Sequence, residues 1–216
     1  MNKQTLLSKV FMWMFIGLFV TFLTGYVVSL NPNMLLSLFG GVGYVFCVIA
    51  ELLLVIFLSA RISKMSPTTA KVSFLLYSFV TGLTFASIFI VYELTSIIYV
   101  FLITALVFGV FAFIGATTKL DLTKTGTYLL MALLSVLICV LLNMFIKSSS
   151  FDLVISVISV LIFIGFTAYD VQRVLRLYDN NVLPEENLAI YGALDLYLDF
   201  INIFLELLKF FGKNND

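Results

Sequence analysis

The chain has no histidine in its 216 residues, only three prolines, two cysteines and one tryptophan. Charge is scarce as well, at 11% of residues against about 25% in an ordinary soluble domain. The missing histidine excludes His-ligated zinc, His-ligated haem and any Ser-His or Cys-His nucleophile. Cys47 and Cys139 both lie in apolar runs without CxxC spacing and read as small buried hydrophobes. Lysine plus arginine balances aspartate plus glutamate, twelve against twelve, so no nucleic acid partner is implied. No polar stretch is long enough to build a soluble core.

What remains is apolar. Hydrophobic residues make up 62% of the chain and its mean hydropathy is +1.15. This composition predicts an all-α integral membrane protein, a single domain over residues 1–216 whose first partner is the lipid bilayer. The first apolar run is followed by no small-residue cleavage site before the next begins, so it is expected to stay as a mature helix.

Charges and turn residues divide the chain into seven spans. Residues 10–50 carry no charge, enough for two helices of about 20 residues, with Asn31-Pro32-Asn33 as a tight hairpin between them. The spans fall at roughly 10–30, 35–60, 72–92, 95–117, 128–146, 153–177 and 188–211. Glycines at 40, 41 and 43, Gly82 with Ala86, and Ala105 with Gly109 predict close helix packing. Alternating the loops puts nine lysines and arginines on one side and three on the other. The positive-inside rule then places the N-terminus in the cytoplasm and the C-terminus outside. The location expected for the chain is the cell membrane.

The last span, Leu188 to Phe211, holds Asp195, Asp199 and Glu206, with Asn202 among them. Their spacing of +4, +3 and +4 draws one polar stripe down a helix face. Each carboxylate inside an apolar span costs roughly 2.5 to 3.5 kcal/mol, so such residues mark functional sites. The sixth span contributes Asp170, followed by Arg173 and Arg176. Two of these acids sharing one proton would titrate as a coupled pair with one value raised toward neutrality. Such a pair holds two helices together while the proton is shared and releases them when both ionise. Ionised, Asp170, Asp199 and Asp195 with backbone carbonyls would also suit a hard cation such as Ca²⁺. The simpler alternatives are a local ion pair between Asp170 and Arg173, and a Glu206 that reaches the outer interface.

Depth and motif point to different partners for Asp170. At 1.5 Å per residue Asp170 lies about 25 Å from the outer entry of its span, about 5 Å from the cytoplasmic edge. Asp195 is then about 10 Å deep and Asp199 about 16 Å, which favours Asp195. The segment LYLDFINIFLELLKFF, with AYDVQRV upstream, resembles the C-terminal signature of the transmembrane Bax inhibitor motif family. That resemblance implies seven helices with the seventh central in a six-helix ring, and a pH-sensitive Ca²⁺ leak channel. It implies Asp170 and Asp199 as the pH-sensing pair, Arg61 as a basic latch at the cytoplasmic end of the second span, and Glu51 as a further family acid. Asp195 departs from the pattern and is a candidate third carboxylate. Glu51, Asn202 and Glu206 are further ion-pathway candidates. Ca²⁺ and protons are the expected ligands, with no cofactor.

Two other functions use the same residue types. An intramembrane aspartyl protease would pair Asp170 in AYD with Asp195 in GALD, but Leu194 stands where such enzymes have glycine and no Pro-Ala-Leu stretch follows. A proton-coupled transporter would also bury acids. It would be expected to show an internal repeat and broken helices, whereas Pro32, Pro67 and Pro184 all fall in predicted loops. A non-enzymatic channel is the expectation.

Overall fold

The computed structural model describes residues 2–215. Among these residues there are eight α-helices: α1 (Lys3–Ser29), α2 (Pro32–Phe39), α3 (Gly43–Arg61), α4 (Pro67–Val91), α5 (Leu94–Thr117), α6 (Thr123–Ile146), α7 (Ser149–Asp179) and α8 (Glu185–Phe211). A single 3-10 turn, Ile62–Lys64, follows α3. Seven of the helices are long and apolar enough to cross a membrane, α3 being counted with the turn after it. The chain is an all-α integral membrane protein with seven candidate spans, as the composition predicts.

Helix starts follow local chemistry. Asn2 caps α1 by accepting from the Thr5 N–H at 2.7 Å, and Ser66 caps α4 ahead of Pro67 by accepting from Thr69 N–H at 3.2 Å. Asn31 and Pro32 do the same for α2. The expected tight hairpin there is instead a turn followed by an eight-residue helix, and the expected second span is thus in two pieces. Gly40 to Gly43 make the break rather than a packing face. A Cβ at Gly43 would stand 2.7 Å from the Ser37 carbonyl oxygen, which only glycine avoids.

The last two spans begin earlier than predicted. α7 starts at Ser149 and α8 at Glu185, so Asp152 and the pair Glu185 and Glu186 fall in first turns. Acids there complement the positive end of the helix dipole. Using charge to end a span excludes such residues by construction, which is why the boundaries shifted.

The chain forms two compact units. One takes residues up to Leu94, then Leu177–Tyr197 and the tail from Lys213; the other takes Thr95–Arg176 and Leu198–Gly212. In the first unit α1 lies on α4 through small residues. A Cβ at Gly82 would stand 2.5 Å from Thr24 Cβ and 2.9 Å from the Thr21 carbonyl oxygen, and one at Gly25 would stand 3.1 Å from the Gly82 carbonyl oxygen. Close backbone approach of this kind is how helices pack in lipid, where apolar burial gives no drive of its own. Phe89 then meets Phe22 and Tyr26 edge-on.

In the second unit glycines serve the same purpose for α7. Gly115 of α5 faces the Ala168 backbone, Gly126 of α6 faces the Tyr169 ring, and Gly165 of α7 faces Leu129 of α6. Gly109 has nothing within 4 Å of where its Cβ would be, so the Ala105 and Gly109 pair is not a packing site at that glycine.

The two units share α8, which is 72% buried over its most apolar window, against 39% or less for every other span. Such a helix is enclosed by protein rather than lipid. That is what allows it to carry Asp195, Asp199 and Glu206 beyond its first turn.

Candidate functional site

Asp170 and Asp199 both belong to the second unit. Asp170 is 7% exposed on α7 and Asp199 is 4% exposed on α8. Their backbones are fixed by their neighbours in sequence. Ala168 and Tyr169, the two residues before Asp170, are the ones seated on Gly115 and Gly126. Phe200, the residue after Asp199, packs against Phe101 and Phe108 of α5 with ring centroids 5.1 and 5.5 Å apart. Each carboxylate is therefore carried by a stretch of helix that is locked on both α5 and its own chain neighbours, and neither is free to turn out toward lipid.

The turn after Asp170 ties α7 to the α5–α6 connection. Gln172 Nε2 donates to the Leu120 carbonyl at 2.7 Å, and its Oε1 accepts from the Leu122 N–H at 2.9 Å. Arg176 donates to Asp121 at 2.8 Å. Arg173 Nη1 stands 3.9 Å from Asp170 Oδ1, so the local ion pair is present at the edge of its range. The arginine end is 42% exposed, and a pair this open to solvent is weak. Asp121 is held below the ordinary aspartate value of 3.8, first by the Thr123 hydroxyl and backbone N–H and then by Arg176. A lowered value adds stability above the unfolded value and loses it as pH falls through the folded one. The part of the loop's stability that Asp121 contributes is therefore lost only in acid, below the ordinary aspartate value.

A second polar feature lies two residues before Asp199 on α8, at Tyr197 in the first unit. Tyr197 is fully buried between Phe74 and Tyr77, each edge-on at 5.8 Å. Its hydroxyl oxygen is 2.6 Å from Thr21 Oγ1, and Thr21 donates to the Ser78 carbonyl at 2.9 Å. Thr21 has one proton and gives it to Ser78, so Tyr197 is the donor in the shorter bond. Three helices, α1, α4 and α8, meet at that point. Among apolar spans Thr21 and Ser78 carry no visible sequence signal, and neither was foreseen.

A sequence model described as inhibitor of apoptosis-promoting Bax1 matches residues 3–216. The chain belongs to the Bax inhibitor motif family. Relatives agree over nearly the whole length. The inner membrane protein YbhL of Escherichia coli K12 is 42% identical over 215 residues, covering 97% of this chain and 92% of YbhL. A protein of Borreliella burgdorferi is 40% identical over 218 residues, covering 99% of this chain and 94% of its own. A membrane protein of Streptococcus pyogenes serotype M1 is 40% identical over 168 residues, covering 77% and 73%. The signature on the last two spans identified the Bax inhibitor family correctly.

The other candidate residues of this Bax inhibitor family chain are spread over both units. Asp195 is half-buried and belongs to the first unit. Glu51 of α3, also in the first unit, accepts from Thr81 at 3.0 Å and from Thr84 at 3.2 Å, both on α4. Arg61 is exposed at the end of α3 in the first unit. In the second unit Asn202 donates to the Leu198 carbonyl one turn back at 2.7 Å, and Glu206 pairs with Lys209 at 2.9 Å. Among the described residues no group of three or more His, Cys, Asp or Glu is arranged to hold a metal ion. The expectation that Asp170, Asp199 and Asp195 could together hold Ca²⁺ meets no such group among the described residues.

Proposed function

We propose that the chain is a pH-sensitive Ca²⁺ leak channel of the cell membrane, gated by a proton shared between Asp170 and Asp199. The observation that carries this is the pair itself: two almost fully buried carboxylates, in one compact unit, on the last two spans of a Bax inhibitor family protein. Burial raises the cost of two negative charges in one low-dielectric region, and sharing one proton relieves it. Ca²⁺ is the permeant ion and no resident metal is required. Arg61 acts as the latch, Glu51 and Glu206 line the ion pathway, and the N-terminus faces the cytoplasm. The chain has no enzymatic step in this reading.

Ca²⁺ flux into proteoliposomes tests it, measured between about pH 6 and 8, the range in which a coupled carboxylate pair serves as a switch. The wild type should show flux that responds to pH across this window, and Arg61→Ala should shift the midpoint. Flux that is absent, or indifferent to pH, overturns the channel. Cleavage of a model transmembrane substrate would move the assignment to a protease. Uptake that stops when the proton gradient is collapsed would move it to a transporter.

A further inference from the structure

The first turn of α8 carries a buried side chain that the gating pair does not use. Asn187 is 1% exposed. Its Nδ2 donates to the Ile62 carbonyl at 2.7 Å and to the Met65 carbonyl at 2.8 Å. Both acceptors lie in the turn that follows Arg61, where the end of a helix leaves its carbonyls without partners of its own. The Oδ1 of Asn187 is buried with no hydrogen-bond partner among the described residues. An amide that leaves its acceptor unsatisfied in order to place both donors is oriented by those two bonds. Next to it Glu186 pairs with Lys71 of α4 at 2.7 Å, and Lys71 lies 5.8 Å over the Trp13 ring. The first turn of α8 thus holds the α3–α4 connection through Asn187 and the start of α4 through Glu186, and all of these residues lie in the first unit.

We infer that Asn187 is a positioning residue that clamps the Arg61-bearing turn to α8 and so sets where the latch stands. The inference rests on the proposed role of Arg61 as latch. Ile62, the residue next to Arg61, is 2% exposed and gives its carbonyl to the clamp, so the Arg61 backbone cannot shift without breaking a buried bond. Arg61 itself stays exposed, able to move its side chain while its root is held. A purely structural asparagine would stabilise the chain without changing a pH midpoint; a clamp on the latch changes both.

Two measurements on the full chain test this. Hydrogen exchange in detergent micelles should rise roughly tenfold for the amides of residues 62–66 in Asn187→Ala, with α5 and α6 unchanged. Ca²⁺ flux in proteoliposomes should show a pH midpoint shifted in the direction seen for Arg61→Ala, and adding Asn187→Ala to Arg61→Ala should shift it no further. Asn187→Ser keeps one donor and should give a smaller shift, which provides a milder variant should Asn187→Ala fold poorly. Unchanged exchange overturns the clamp. A midpoint that moves in Arg61→Ala but not in either Asn187 variant overturns its link to the latch. Should Arg61→Ala itself leave the midpoint in place, the latch is what fails, and exchange alone then decides the clamp.

Discussion

Asp199→Asn makes Ca²⁺ flux flat with pH, fixed at the level the wild type shows while the proton is shared. An asparagine has the shape of a protonated aspartate and keeps an N–H to donate, but it has no proton to lose. A gate controlled by one proton changes by up to roughly tenfold per pH unit through its titration, and that whole response goes. Asp170→Asn should do the same, and the double substitution should add nothing, because the two carboxylates titrate as one pair. Asp195→Asn is the control. Asp195 is grouped with the first unit and Asp170 and Asp199 with the second, and this substitution should leave the slope intact. Should Asp195→Asn flatten the profile while Asp199→Asn leaves it steep, then the partner of Asp170 has been misassigned and Asp195 is the sensor.

That choice between Asp195 and Asp199 shows how far the sequence could be read. The existence of seven spans was legible because charge is rare, and each loop announces itself against a background 62% hydrophobic. The acids on α8 were legible for the same reason. Their depth was not. Glu185 and Glu186 looked like loop residues but form the first turn of α8, and α7 continues to Asp179. Distances counted from a guessed entry point therefore carried an error of about one helical turn, the spacing that separates Asp195 from Asp199. A motif fixes position by local pattern rather than by counting from an edge.

Contacts made by residues of no special chemistry stayed hidden. Thr21, Gly115 and Asn187 each decide where a helix sits, yet each does so by meeting a backbone atom of another helix. A single sequence names the donor and not the acceptor, since every residue has the same carbonyl. The glycines were partly visible: Gly82 marks a close approach of two long helices and Gly43 a close contact at the break between α2 and α3, whereas Gly41 and Gly109 meet nothing within 4 Å among the described residues. Spacing alone cannot tell a glycine that faces a helix from one that faces lipid.

Gly115 and Gly109 make the sharpest test of that distinction. They sit six positions apart on α5, with the same residue type and the same helix environment. At Gly115 a Cβ would overlap the Ala168 carbonyl oxygen and stand 2.8 Å from Ala168 Cα and 2.9 Å from its carbonyl carbon. All three are backbone atoms, so no rotamer change can make room. The helix α7 must move away from α5 at the residue two before Asp170. Overpacking a tight contact costs about 1 to 3 kcal/mol, and a backbone collision belongs at the upper end. Gly115→Ala should therefore lose about 3 kcal/mol in reversible unfolding in mixed micelles, and Gly115→Val should fail to fold. Gly109→Ala meets nothing within 4 Å and should be neutral or gain a few tenths of a kcal/mol from helix propensity. Stability losses of equal size at both positions would mean that α5 does not pack on α7 through Gly115. The same contact links stability to gating, because displacing Ala168 displaces Asp170. Any Gly115→Ala protein that does fold should show a shifted pH midpoint, while Gly109→Ala keeps the midpoint of the wild type.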